Sequence, residues 1–283
     1  MITVSELKVY PLKSCAGIRL TTATVGAYGF AHDREFMLVD SDDHLITQRT
    51  APTLVHVQPA LDAASLHVCA PGFQRISVPL YNPTTSDANA RRMVTVFQER
   101  VCADDMGDEA AGWFSGFLRQ PARLVRIGAA FVRTAPKGII DGQNAPIAFP
   151  DAYPFHLVAE ETVADLNTRL PSPVPIDRFR PNIVIRGGLK PYLEDSWQKI
   201  AIGNVLFHHG DPCGRCSITT VDQKSGTVGK DPLKTLATYR RSEEGKVRFG
   251  VYLMSSQTAG EVRVGDAVRS SGIERDRAGS SEI

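Results

Sequence analysis

Lys199-Ile200-Ala201-Ile202-Gly203-Asn204-Val205-Leu206-Phe207-His208 reads as a β-hairpin, because two short apolar runs flank Gly203-Asn204, a two-residue loop that tolerates positive φ. The same grammar recurs outward along the chain: β-branched and apolar residues alternate with polar ones between clusters of Gly, Pro, Asn and Asp. Phe36-Met37-Leu38-Val39 and Leu45-Ile46-Thr47 are expected to form another hairpin across Ser41-Asp42-Asp43. The expected fold class is therefore mainly β with a few helices (α+β).

Three segments show helical spacing instead. In residues 106 to 119, Ala110, Trp113, Phe114, Phe117 and Leu118 fall on one face, and Pro121 stops the run. Val163, Leu166 and Leu170 form a narrower stripe over 160 to 170, ending at Pro171. A third helix is expected from Asp231, an N-cap residue before Pro232, burying Leu233, Leu236 and Tyr239. Pro- and Gly-rich stretches at 133 to 154 and 171 to 181 predict long loops, and the polar end of the chain, 271 to 283, predicts a flexible tail.

A chain of 283 residues with 42% hydrophobic composition can bury a substantial core. Its 32 basic and 31 acidic residues leave a net charge of +1, which gives no global pull toward a nucleic-acid polymer or an anionic membrane. No apolar run is long enough for a membrane span, and Met1-Ile2-Thr3-Val4-Ser5-Glu6 lacks the features of a secretion signal, so a cytoplasmic location is expected. Five scattered cysteines, Cys15, Cys69, Cys102, Cys213 and Cys216, predict free thiols rather than a disulfide framework.

Beyond the first hairpin lies His208-His209-Gly210-Asp211-Pro212-Cys213-Gly214-Arg215-Cys216, followed by the strand-like Ser217-Ile218-Thr219-Thr220-Val221. A thioredoxin-like pair would open a helix, whereas this one runs into β-branched residues. A structural zinc site would need a fourth ligand beyond Cys213, Cys216 and one histidine. One soft thiolate could instead bind a metal carried on an organic cofactor, with Arg215 beside it lowering the thiol pKa. Both cysteines could equally be small core residues. The motif alone leaves these readings open. His208 and His209 point to opposite faces of a strand, so no acid or base is assigned among them.

Upstream, Tyr10-Pro11-Leu12-Lys13-Ser14-Cys15-Ala16-Gly17 breaks from a strand into a loop able to cradle a phosphate. His32-Asp33-Arg34 and Asp177-Arg178-Phe179-Arg180-Pro181-Asn182 place arginines at turns beside strands, suited to anion recognition.

Together these segments resemble the MOSC-domain family, in the branch that includes the mitochondrial amidoxime-reducing components and bacterial proteins that detoxify hydroxylaminopurines. The resemblance runs from about Ile2 to Val268 and extends to Glu194-Asp195-Ser196-Trp197, Pro232-Leu233-Lys234-Thr235-Leu236 and Phe249-Gly250-Val251-Tyr252. It implies a MOSC β-barrel over 126 to 270 and a smaller β-rich N-terminal region over 1 to 125, with residues 1 to 34 lending strands to the main barrel. It further implies a molybdenum cofactor of the molybdopterin type in its mononucleotide form, and no pyridoxal phosphate. Cys216 would be the catalytic cysteine and the protein's ligand to the metal. Lys13, Ser14, Arg34, Arg180 and Asn182 would hold the terminal phosphate and pterin, Arg215 and Tyr252 would line the metal site, and Asp151 with its neighbours Ala152 and Tyr153 would touch the cofactor.

The implied activity is reduction of small N-hydroxylated compounds (amidoximes, hydroxylamines, N-hydroxylated bases), a detoxification chemistry. No cysteine follows Cys216, so a fused ferredoxin is not expected; a separate donor (ferredoxin, flavin reductase or haem protein) would supply electrons. The alternative is a carrier of persulfide sulfur or of the molybdenum cofactor, using the cysteine pair.

Overall fold

The computed structural model describes residues 1–80, 91–140 and 143–271. The chain opens with β1 (Thr3–Val9), β2 (Ile18–Leu20), β3 (Thr22–Gly26), β4 (Gly29–Phe30) and β5 (Phe36–Val39). Next come β6 (Gln58–Leu61), β7 (Ser65–Ala70), β8 (Phe73–Pro79), β9 (Arg91–Val96), β10 (Glu99–Asp105), α1 (Asp108–Leu118) and β11 (Arg123–Arg126). The second half holds β12 (Thr134–Ile140), β13 (Gln143–Pro146), β14 (Phe155–Ala159), α2 (Glu160–Arg169) and β15 (Ile183–Arg186). It ends with β16 (Lys199–Ile202), β17 (Val205–Gly214), α3 (Leu233–Leu236), β18 (Arg248–Met254), β19 (Glu261–Arg263) and β20 (Val268–Ser271).

The main sheet has eight strands in the order β2-β1-β15-β14-β18-β17-β16-β20. The expected hairpin forms as β16 and β17, with Ile202 opposite Val205 and Gly203 at φ 55°. The sheet curls until its two ends approach, Thr3 bridging Ala267 and Val268 N–H donating to Ile2 O at 2.9 Å, without a ladder continuous all the way round. Among the first strands, β1 pairs with β2 and β15, and β3 pairs with β19. Alternating residues such as Leu7, Leu157, Ile183, Ile200, Phe207, Val251 and Leu253 fill the concave side. Each such side chain contributes about 1.5–3 kcal/mol on burial. β14 is buried on both faces because α2 covers the other side, with Val158 packed among Val163, Leu166 and Phe249. That helix is also the crossover that the parallel β14–β15 pair requires.

Residues 36 to 127 form a second body, made of a four-stranded sheet β5-β11-β10-β9, a three-stranded sheet β6-β7-β8 and the amphipathic α1. Phe114, Leu124, Leu38 and Leu66 share one core there.

Several local expectations change. β5 pairs along its length with β11, and only its end pairs with residues 45 and 46. Asp40 Oδ1 accepts the N–H groups of Asp42 and His44, and around this tight turn a short form of the expected hairpin is kept: Asp40 N–H donates to His44 O (2.9 Å), Val39 bridges Leu45 and Ile46 N–H donates to Leu38 O (2.9 Å). The supposed long loop at 133 to 154 contains the hairpin β12–β13. Ser217–Thr220 is a short 3-10 turn, not a strand, since the hydroxyls of Thr219 and Thr220 donate back to Cys216 O and Ser217 O. The third helix is confined to four residues, with Asp231 accepting from the Thr235 N–H and hydroxyl. Ser271 closes β20, and the rest of the expected tail lies outside the described residues.

Gly250 shows how closely β18 is packed against β14. Its φ is 71°, and a Cβ there would lie 2.6 Å from His156 Nε2 and 2.8 Å from Leu157 O. Gly250→Ala should therefore lower stability by about 2 kcal/mol or more, read as a lower denaturation midpoint in urea; an unchanged midpoint would contradict this packing.

Candidate functional site

The site is built mainly from segments that flank strands of the main sheet, and Arg49 and Phe97 of the second body reach only the wider cleft beside it. The loop after β1 is zipped to the turn before β5: Tyr10 N–H donates to Asp33 Oδ1 (2.8 Å), Arg34 N–H to Tyr10 O (2.8 Å) and Lys13 N–H to Phe36 O (2.8 Å). Arg180 and Asn182 precede β15, Asp151 precedes β14, Arg215 and Cys216 follow β17, and Tyr252 lies on β18. All these threads converge on one narrow pocket of about 80 Å³, lined by Lys13, Ser14, Arg34, Asp151, Arg180, Asn182, Arg215, Cys216 and Tyr252. The nine residues singled out in the sequence are thus brought together. A wider cleft of about 1200 Å³ adjoins it and shares the wall formed by Asp151, Tyr153, Arg215, Cys216 and Tyr252.

Four cationic side chains, Lys13, Arg34, Arg180 and Arg215, face a single carboxylate, Asp151, around the narrow pocket. Each is held by the protein before any ligand arrives. Lys13 Nζ donates to Phe149 O (2.7 Å) and to the Asp151 carboxylate. Arg34 is gripped by Asp33, by Asn182 Oδ1 (2.9 Å) and by Arg180 O (3.2 Å). The guanidinium groups of Arg34 and Arg180 sit 4.4 and 4.2 Å from the centroid of the Tyr10 ring. Burial pulls the Lys13 ammonium below its ordinary pKa, with Asp151 opposing. Enclosure pushes the Asp151 carboxyl up, but the charges of Lys13, Arg49 and Arg34 outweigh this and hold it below the usual carboxylate range.

Three of the lining residues adopt positive φ: Ser14 at 68°, Arg34 at 52° and Arg180 at 54°. Left-handed backbone at non-glycine residues costs about 1–3 kcal/mol each and tends to be kept at functional sites. At Arg180 this predicts that the Gly variant is about 1 kcal/mol more stable than the Ala variant, although both lose the same side chain. Equal denaturation midpoints for the two would refute backbone strain there.

The two cysteines differ sharply. Cys213 is 1% exposed and its thiol is pushed up in pKa by burial, against the pull of Arg215. Cys216 is half-buried and lines both cavities. The expected pairing of Arg215 with Cys216 is corrected: the Arg215 guanidinium donates to Cys213 Sγ (2.7 Å) and Phe179 O (2.9 Å), while Arg49 Nη1 donates to Cys216 Sγ at 3.4 Å. The Arg215 guanidinium lies 5.6 Å from the centroid of the Phe179 ring, and Cys216 faces Arg49. Among the described residues, no group of three or more His, Cys, Asp or Glu side chains could hold a metal ion, so any metal here needs ligands from elsewhere.

The sequence reading missed Arg49 and His156. Arg49 sits in Thr47-Gln48-Arg49-Thr50, which carries no signal. His156 offered a faint one, a lone imidazole inside the apolar run Phe155-His156-Leu157-Val158. It is buried against the narrow pocket, and burial together with the Arg215 charge holds its pKa well below the ordinary value, so it is neutral. Tyr153, expected to touch a cofactor, stacks on Tyr252 with ring centroids 5.1 Å apart and donates its hydroxyl to Asp211 at 2.9 Å. His208 and His209 line neither cavity. No described helix is long and apolar enough to cross a membrane.

The sequence matches the MOSC N-terminal beta barrel domain over residues 1–121 and the MOSC domain over residues 144–269. It is 35% identical to mitochondrial amidoxime reducing component 2 of Rattus norvegicus, over 94% of this chain and 82% of that protein. It is 34% identical to mitochondrial amidoxime-reducing component 1 of Homo sapiens, with the same coverage. It is also 33% identical to molybdenum cofactor sulfurase of Danio rerio, over 89% of this chain and 32% of that protein.

Proposed function

The chain belongs to the MOSC family, as a MOSC N-terminal barrel domain followed by a MOSC domain, and on that premise we propose that it binds a molybdopterin-type molybdenum cofactor and reduces N-hydroxylated compounds. The observation that carries this reading is the convergence of nine residues from distant segments on one cation-rich pocket with a half-buried thiol in its wall. Arg215 Nε, buried and without a hydrogen-bond partner among the described residues, leaves a donor in that wall for an incoming anion. A terminal phosphate suits fixed Arg and Lys donors, and a soft metal suits a thiolate.

In this reading Lys13, Ser14, Arg34, Arg180 and Asn182 hold the phosphate and pterin in its mononucleotide form. Arg215, Tyr252 and Asp151 wall the metal site, and Cys216 supplies the protein's ligand. When bound, the cofactor supplies the two-electron redox chemistry. The chain's own part is to orient and enclose: Arg49 fixes the Cys216 sulfur by a hydrogen bond, neutral His156 adds no charge behind Arg215, and the stacked Tyr153 and Tyr252 border the wide cleft through which substrate arrives. A separate donor protein (ferredoxin, flavin reductase or haem protein) delivers electrons.

Cofactor-loaded, chemically reduced protein should convert benzamidoxime to benzamidine, followed by chromatography; loaded protein that forms no amine product from any N-hydroxylated compound would sink the reductase assignment. A relay of persulfide between the two cysteines is disfavoured by the burial of Cys213 and the engagement of its sulfur by Arg215.

A further inference from the structure

The wide cleft carries charge and apolar surface for which cofactor binding has no use. One wall comes from residues 228 to 248: Val228 and Lys230 precede α3, Leu233 and Lys234 lie on it, and Arg248 opens β18. Phe97, in the turn between β9 and β10, belongs to the same lining. Phe97 and Val228 keep 41% and 58% of their surface exposed, so the cleft offers large apolar groups to a ligand.

Among the described residues, Lys230, Lys234 and Arg248 form no ion pair, whereas the cleft's acids are engaged: Asp151 by Lys13, Glu244 by Lys246 and Asp211 by the Tyr153 hydroxyl. Unpaired cations on a concave wall focus a positive potential, and apolar side chains beside them favour a ligand that is itself part apolar, part charged. The cations of the narrow pocket are a different set, taken up by the cofactor when it is bound.

We propose that the cleft selects N-hydroxylated substrates that carry an anionic group, such as a carboxylate, on an apolar or aromatic body. This rests on the reductase reading above. The N–O group is directed to the Cys216 end of the cleft, the apolar body lies along Phe97, Val228 and Leu233, and the anion meets Lys230, Lys234 and Arg248.

The test compares benzamidoxime with its para-carboxylate at low ionic strength, by KM on loaded, chemically reduced protein and by calorimetric Kd on unreduced protein. The carboxylate should show KM and Kd about five- to tenfold lower, an advantage that shrinks to about twofold or less in the Lys230→Ala/Lys234→Ala double variant and in ~0.5 M salt. Equal constants for the two compounds, or an advantage that survives in the double variant, overturn the proposal; if benzamidoxime is still reduced, the reductase reading stands. Should neither compound be reduced, that reading fails instead, and the Kd comparison still decides the preference for an anion. A double variant that slows turnover only with an acidic donor protein, leaving the substrate ratio untouched, assigns these lysines to donor docking and overturns the proposal as well.

Discussion

Cys216→Ala is expected to yield a folded protein that no longer retains molybdenum, while Cys213→Ala keeps it. Cys216 is half-buried, and among the described residues its sulfur takes only the Arg49 hydrogen bond, so truncation should cost about 1 kcal/mol or less of stability. The same change removes the thiol that, among the described residues, alone lines both cavities, and metal content should fall at least about tenfold. Cys213→Ala reverses the pattern. It deprives the buried Arg215 guanidinium of a partner at 2.7 Å and should cost about 1–3 kcal/mol, with molybdenum retained. Elemental analysis paired with urea denaturation separates the two. Metal loss in the Cys213 variant alone would assign the ligand to the wrong sulfur.

Asn182→Ala should be the most damaging change among the pocket's neutral residues. Asn182 is 1% exposed; its Oδ1 accepts from Arg34 Nη1 (2.9 Å) and His156 N–H (3.2 Å), and its Nδ2 donates to Lys8 O (3.1 Å). Three groups lose a partner at once, and two of them, the His156 N–H and Lys8 O, are buried. At about 1–3 kcal/mol for each of the two buried groups left without this partner, the expected loss is roughly 2 kcal/mol or more. Arg34 loses one of its three anchors, so retention of the pterin and its phosphate should fall even at temperatures where the variant is folded. Asn182→Asp provides the control: it keeps the acceptor for Arg34 and His156 but adds negative charge to an anion pocket. It should recover part of the stability and none of the phosphate affinity. A variant of either kind with wild-type stability and cofactor content would show that Asn182 does not organise the pocket.

Much of the site was legible in the sequence because its parts arrive as short contiguous motifs at strand ends. Lys13-Ser14, Asp33-Arg34, Arg180-Pro181-Asn182 and Arg215-Cys216 each sit where an apolar alternating run stops, and such stops are the places a sheet presents side chains to a ligand. The 199 to 208 hairpin was legible for the same local reason. Pairing between distant strands was not: β5 chooses β11, far along the chain, and no local pattern encodes that register. Pro and Gly content hid the β12–β13 hairpin, and β-branched residues at 217 to 220 disguised a turn whose hydroxyls fold back on the backbone. Arg49 illustrates the limit most clearly. Its place beside Cys216 is created by two chain segments 167 positions apart, so its contribution is tertiary geometry alone.

Whether the narrow pocket holds a molybdenum cofactor through Cys216 is decided by metal, pterin and phosphate analysis of the wild-type protein produced in cells with an intact cofactor pathway. The expected result is stoichiometric molybdenum together with one equivalent of phosphorylated pterin, both released when the protein is unfolded. Stoichiometric zinc, or a metal-free protein bearing a labile persulfide on Cys216, would contradict it.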